Sequence, residues 1–326
     1  MNKIVERIER EAGVPGLVSL LAERLTPTDL QSLLLEAYRQ RVSHMQPSEV
    51  LSNYQANRFV RPSGVSPTSL LNWEQVAFST LPPEFQPLAL SPVCPLGTNS
   101  VVARVDQNWS VTTTRNSEVV SDSTNVLALE CAVRRRELLL ANRKSSEPVH
   151  LAASHRLLRA QHYEDSALVA HFSAFALCSA GRDQGNLQFE LSALRLHIGF
   201  YLRSLRVFLG PGVPLYLSVT DFNPSTRVEL VETLLAAIRS EFEDVDCAFD
   251  ERRTSGRGYY VDLCFHIHAA AASGRRLELV DGGCVNWTQA LLSNAKERLV
   301  ISGIGSERLC TEFGTNHTAR LPKEEG

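Results

Sequence analysis

The spacing of apolar positions changes several times along the chain, and each change predicts an element. Ile4, Ile8, Leu17, Leu20 and Leu21 recur at helical spacing, interrupted by Gly13-Val14-Pro15-Gly16. Thr26-Pro27-Thr28-Asp29 caps a second helix with Leu30, Leu33, Leu34 and Ala37 on one face, and Arg39 and Arg41 suit its C-terminal end. A connection bearing proline, serine, Arg58 and Arg61 follows and reads as a linker lying over the core. From Ser69 the pattern is helical through Trp73, Val76 and Ala77 until Leu81-Pro82-Pro83 stops it, and Phe85 to Leu90 is a short strand. Val101 to Thr114 alternates and predicts a hairpin; a helix is predicted over Val126 to Ala141.

Beyond this point strands dominate. Val149 to Leu158 and the apolar run beginning His171-Phe172-Ser173-Ala174-Phe175 predict two antiparallel strands joined by a long polar loop. A helix over Gln188 to Arg206, a strand over Val213 to Asp221 and a helix over Arg227 to Phe242 come next. Val261 to Ala269 is a strand, Gly274 to Glu278 a turn, Trp287 to Asn294 a helix, and Arg298 to Ile304 a last strand running into Glu307-Arg308.

Composition narrows the possibilities. A 326-residue chain that is 44% hydrophobic and 21% charged is an ordinary globule with a sizeable core, and a net charge of -3 supplies no broad cationic field for non-specific nucleic-acid binding. Seven scattered cysteines without a CxxC pair read as reduced, buried thiols of a cytoplasmic protein. No apolar run approaches the ~18 residues of a membrane span, and the polar start is no signal peptide, so no membrane partner is expected.

Two stretches carry candidate chemistry. Arg159 can take two phosphate oxygens with its planar guanidinium, and Phe175 offers a ring for a base; the plainer reading makes Arg159 a solvated edge residue and Phe175 core. In Gly303-Ile304-Gly305-Ser306-Glu307-Arg308-Leu309 two glycines permit close backbone approach to a ligand, and an acid and an arginine open a helix.

Taken together, Ser69 to Pro92, the Arg159 to Phe175 hairpin and Gly303 to Arg308 resemble the three ordered motifs of a class II aminoacyl-tRNA synthetase catalytic core, in the layout of the histidyl-tRNA synthetase branch. The resemblance covers roughly residues 65 to 315. It implies an α+β fold, an antiparallel sheet flanked by helices, with 1–60 as a small N-terminal helical region and linker and 61–326 as the synthetase-like domain. It implies ATP and Mg2+ as cofactors, an amino acid as substrate and a homodimer. Arg159, Arg308 and Arg257 become the catalytic phosphate contacts, and Gln161, His171, Phe172, Phe175 and Glu307 complete the ATP site. Glu118 becomes the contact for the substrate ammonium, Tyr259, Tyr260, Gly282 and Gly283 line the amino-acid pocket, Glu190 is a possible magnesium ligand, and, because some class II relatives carry an active-site zinc, Cys131 and Cys284 with a carboxylate are the alternative to buried thiols.

The sequence also departs from that pattern. Gln161 stands where the family has Glu, the Asp before the tyrosine pair is missing, and Cys284-Val285-Asn286 replaces Arg-Tyr-Asp. Only 18 residues follow Arg308, too few for the family's anticodon-binding domain, which leaves tRNA uncertain as a partner. The expected activity is therefore that of a ligase: activation of an amino acid as its adenylate and transfer to an acceptor that need not be tRNA, such as a carrier protein, a small molecule or a protein. The alternative is a non-catalytic sensor or regulatory subunit.

Overall fold

A computed structural model describes residues 3–161, 170–223 and 228–314. Its helices are α1 (Lys3–Ala12), α2 (Leu17–Ser19, continued by a π turn over Leu20–Arg24), α3 (Pro27–Ser43), α4 (Pro47–Ala56), α5 (Pro67–Ser79), α6 (Ser123–Ala141), α7 (Gln188–Leu209), α8 (Val228–Glu241), α9 (Trp287–Leu292) and α10 (Ser306–Phe313). Its strands are β1 (Gln86–Pro87), β2 (Val93–Pro95), β3 (Ser117–Val119), β4 (Val149–Leu158), β5 (His171–Arg182), β6 (Leu215–Asp221), β7 (Val245–Phe249), β8 (Leu263–Ala270), β9 (Arg276–Val285) and β10 (Glu297–Gly305).

Eight strands form one sheet in the order β1-β4-β5-β10-β9-β8-β6-β7. The two outer pairs, β1 with β4 and β6 with β7, are parallel, and every other pairing is antiparallel. This is the α+β architecture that the resemblance implies, an antiparallel-dominated sheet flanked by helices.

Because strand side chains alternate, the sheet sorts its residues onto two faces. One face presents Ala152, Phe175, Leu177, Val300, Ile304, Phe265 and Ile267 to α5, α7, α8 and α10, and this is the larger core. Trp73 of α5 is fully buried there and donates its indole N–H to Ser306 Oγ at 3.0 Å, which fixes α5 against the start of α10. The other face presents Leu151, Ala153, Ala176, Cys178, Leu299 and Ile301 to Leu127, Ala128 and Cys131 of α6 and to Trp287 of α9.

Two polar groups tie these layers together. Arg135 of α6 and Glu297 at the start of β10 are both fully buried and meet in a two-pronged ion pair of 2.8 and 3.0 Å, while Arg135 also donates to the carbonyls of Ser145 and Glu147. A chain of hydrogen bonds runs from His150 through Ser179 and His197 to Ser302 and Tyr201. Burial pushes the His197 imidazole well below its ordinary value, so it stands neutral in this chain.

Several elements differ from the sequence reading. The hairpin expected over Val101 to Thr114 is absent; a π turn over Thr98–Val102 and a 3-10 turn over Gln107–Trp109 take its place, and β3 pairs with β2 instead. Glycine at 97, with φ 90°, and Asp106, which caps the 3-10 turn, account for the break in the alternating pattern. The strand expected over Phe85 to Leu90 contracts to Gln86 and Pro87, with Phe85 turned inward beside His150 and His197. The parallel edge strand β7 was not foreseen. In α1 to α4 no residue is buried.

Candidate nucleotide and ligand face

The antiparallel register carries the C-terminal end of β4, the N-terminal end of β5 and the C-terminal end of β10 to one edge of the sheet. Leu158 stands opposite His171, and Gly305 opposite Ala174. Arg159 and Arg308, 149 positions apart in sequence, therefore emerge from the same end of three adjacent strands.

Arg159 follows β4 on the face that α6 covers only in part. Its Nε–H donates to the carbonyl of Ser121 at 2.9 Å and its Nη2–H to Asp122 at 2.8 Å, while the guanidinium lies 5.1 Å from the ring of Phe172. Asp122 also caps α6 through the backbone N–H of Thr124 at 3.0 Å. Arg308 is exposed on the first turn of α10. Between them the sheet offers a floor of small residues, Ala174, Gly303 and Gly305. At Gly303 an added Cβ meets nothing closer than the carbonyl of Phe175 at 3.8 Å, so the surface above it is open.

Strand alternation divides the remaining expected ATP residues. Phe172 shares the open face with Arg159, but Phe175 points the other way. It is fully buried, 5.1 Å from Phe78 and 5.4 Å from Phe200, and presents no ring to a ligand. His171 and Glu307 also belong to the helix-covered side. His171 contacts Arg156 through Nδ1 at 2.8 Å and the carbonyl of Arg61 through Nε2 at 2.5 Å; Glu307 pairs with Arg156 at 2.6 Å and accepts from Ser63 at 2.6 Å. These residues fasten the 58–65 connection across the sheet edge. Arg58 adds bonds to the carbonyls of Ala160 at 2.7 Å and Gln161 at 3.1 Å. Gln161 thus adjoins the site through its backbone.

The residues expected to bind the amino acid are also redistributed. Glu118 is fully buried with both carboxylate oxygens occupied, by the backbone N–H of Asn99 at 2.7 Å and by Gln107 at 2.9 Å, so it holds the 97–109 loop instead of meeting a substrate. Gly282 and Gly283 are required by protein packing. A Cβ on the first would lie 2.6 Å from Phe265, and on the second 2.7 Å from Tyr260, so the room they leave is filled by the protein itself. Tyr259 stacks edge-on between Tyr260 and Trp287, and Tyr260 is buried. Arg257 is exposed with its guanidinium 5.0 Å from the Phe222 ring. Glu190 pairs with Arg298 at 2.9 Å near the start of β10, beside a cavity of about 560 Å³ that Asp183, Asp262 and Asn286 help to line. Gly305 lies seven positions along the strand from Arg298, roughly 23 Å at the usual rise, so Glu190 cannot serve a metal on phosphates held at the opposite end. Cys131 and Cys284 pack on opposite faces of the sheet, which removes the proposed cysteine zinc site.

A different arginine occupies the interior of the open face. Arg253 is nearly buried, donates to Asp281 at 2.9 Å and to the Ser255 carbonyl at 2.9 Å, and leaves its Nη1 without a partner. Burial pushes the Asp281 carboxyl up, but the hydrogen bond from His266 and the Arg253 charge outweigh it and hold Asp281 below its ordinary range. The Asp250-Glu251-Arg252-Arg253 run offered no spacing that singled out Arg253; only its proximity to β9 does.

Compared by sequence, the chain matches no known family and no curated protein. Compared by structure, it is similar to an ATP phosphoribosyltransferase regulatory subunit/histidyl-tRNA synthetase from Bacillus halodurans, at a TM-score of 0.58 and 12% identity over 79% of this chain and 83% of that one. It is similar to apo histidyl-tRNA synthetase of S. aureus at 0.55 and 12%, over 79% and 74% of the two chains. The RNA-binding domain of threonyl-tRNA synthetase from Cryptosporidium parvum gives 0.54 and 12%, over 76% and 63%. The fold is that of a class II aminoacyl-tRNA synthetase core. Within that class its likeness is to the histidyl-type core, which these matches associate with both a synthetase and a regulatory subunit. Among the described residues no helix is long and apolar enough to cross a membrane.

Proposed function

We propose that the open face binds ATP and activates a carboxylate, most simply that of an amino acid, as its adenylate. The observation that supports this reading is that Arg159, with Phe172 beside it, and the exposed Arg308 follow strands that end at one sheet edge, next to an open surface at Gly303. Attack of one anion on another is limited by charge and positioning, and two guanidiniums on rigid elements answer both. Arg159 would hold the α-phosphate, Phe172 would stack on the base, and Arg308 would meet the far end of the triphosphate. Arg253, with its unpartnered buried N–H, supplies a further anion contact on the same face. Magnesium would enter with the nucleotide and be held through phosphate oxygens, since Glu307 is committed to Arg156 and Ser63 and Glu190 lies at the far end. The acceptor of the activated group and a homodimeric state belong to the same proposal.

A second reading, a regulatory or sensing subunit that binds without turnover, draws on the pocket itself. Glu118 is sealed, Gly282 and Gly283 are packed over, and Arg257 rests on Phe222. Exchange of labelled pyrophosphate into ATP across all twenty amino acids separates the two. Exchange above background with one amino acid supports activation; background exchange with measurable ligand binding supports the sensor.

A further inference from the structure

We infer that His266, His268 and Glu278 form a binding site for a single divalent transition-metal ion of the zinc class, on the open face of the sheet. His266 and His268 are two positions apart on β8, so both imidazoles leave the same face. Glu278 reaches that face because the register between β8 and β9 slips there. Ile267 pairs with Val280 but His268 pairs with Glu278, so Leu279 is the extra residue of a bulge. Leu279 and Val280 both turn into the core, and the carboxylates on either side, Glu278 and Asp281, come out together.

The spacing suits the chemistry. One ligand atom from each of His266, His268 and Glu278 lies within 4.8 Å of the others, and His266 Nε2 stands 3.5 Å from Glu278 Oε2. Zinc bonds of about 2.0 to 2.2 Å in a tetrahedron place neighbouring ligand atoms about 3.4 Å apart. The His266 and Glu278 pair already has that separation, and a His268 ring nitrogen lies within 4.8 Å of both. Two imidazoles and one carboxylate select a zinc-class ion over magnesium or calcium, and three protein ligands leave a position open toward solvent or substrate. Asp281 Oδ1 lies 3.3 Å from the same His266 nitrogen and is anchored by Arg253 at 2.9 Å, so it adds negative charge beside the ion's position and accepts from that nitrogen when no ion is bound. The remaining nearby cation, Arg276, is drawn aside over the ring of Tyr216 at 3.6 Å. Asp281 pairs with Gly303 across β9 and β10, so the ion would sit on the floor that the nucleotide reading uses, and of the residues named for that reading it shares only Arg253, through Asp281.

The test uses the full chain and the metal alone. After removal of metal with a chelator, titration with Zn2+ followed by calorimetry is expected to show one equivalent bound per chain. His268→Ala and Glu278→Gln each weaken that binding by about tenfold or more, and the cobalt-substituted protein shows d–d bands without thiolate charge transfer. The Glu278 side chain is 44% exposed, so its amide variant folds and keeps the test valid if the histidine variant does not. Absence of stoichiometric uptake, unchanged affinity in Glu278→Gln, or a thiolate band from one of the seven buried cysteines each overturns the site.

Discussion

Arg159 and Asp122 form an ion pair of 2.8 Å in which the carboxylate occupies the guanidinium that the nucleotide reading assigns to a phosphate. The carboxylate also caps α6 through Thr124. Binding an anion therefore means displacing Asp122. Replacing Asp122 by Asn preserves the cap, because Asn caps as well as Asp, and removes the competing charge. With both side chains about a third exposed, the pair is weak, so Asp122→Asn is expected to tighten ATP binding roughly two- to fivefold. Calorimetric titration of the variant checks this, and weaker binding would count against the displacement.

Phe172 and Phe175 separate ligand contact from core. Phe175→Ala is expected to cost about 3 to 5 kcal/mol of stability by opening a cavity among Phe78 and Phe200. Phe172→Ala leaves that core intact and weakens nucleotide binding by roughly 5- to 100-fold, the range for loss of one stacked base. Urea melts and ATP titrations of both variants decide the matter; equal effects on binding would contradict the division between faces.

Arg135 and Glu297 hold α6 onto the start of β10. Glu297→Gln leaves a buried guanidinium without its charge partner and is expected to cost about 3 kcal/mol or more. Arg135→Met with Glu297→Leu recovers much of that loss, because removing both charges also removes the desolvation cost. Chemical denaturation of the single and double variants gives the coupling directly.

Acid sensitivity follows from the buried imidazoles. Burial lowers His197 well below 6.5 and lowers His150 and His155 from the same value. Between their folded values and 6.5 the unfolded chain binds more protons, so stability is full above 6.5 and is lost as pH falls below it. Asp183 and Asp281, held below 3.8, add a loss only at more acid pH. The thermal midpoint is therefore expected to drop between about pH 7.5 and 5.5, and a flat profile across that window would contradict the burial assigned to these groups.

Much of the sheet was legible because long strands with apolar alternation leave a strong signal, and the order of the Arg159 and Gly303 segments pointed to the fold before any contact was known. What the pattern could not supply was the facing of individual residues. Phe172 and Phe175 differ by three positions, an odd step that places them on opposite faces, and the choice between them needed the register of β4 against β5. The proximity of Glu278 to His266 was equally hidden, since it depends on a one-residue bulge that only the pairing of β8 and β9 reveals. Glu118 was a substrate contact only through the resemblance, and the partners that hold it, Asn99 and Gln107, lie 19 and 11 residues away in sequence and leave no local signal.

Two arginines acting on one nucleotide are the centre of the proposed function. Titration of the full chain with ATP and magnesium, repeated on Arg159→Ala and Arg308→Ala, tests that most directly. Saturable binding to the unaltered chain, weakened at least about tenfold in each variant as expected for loss of a charge-assisted phosphate contact, is the predicted result. No binding by the unaltered chain, or binding indifferent to both substitutions, would contradict it.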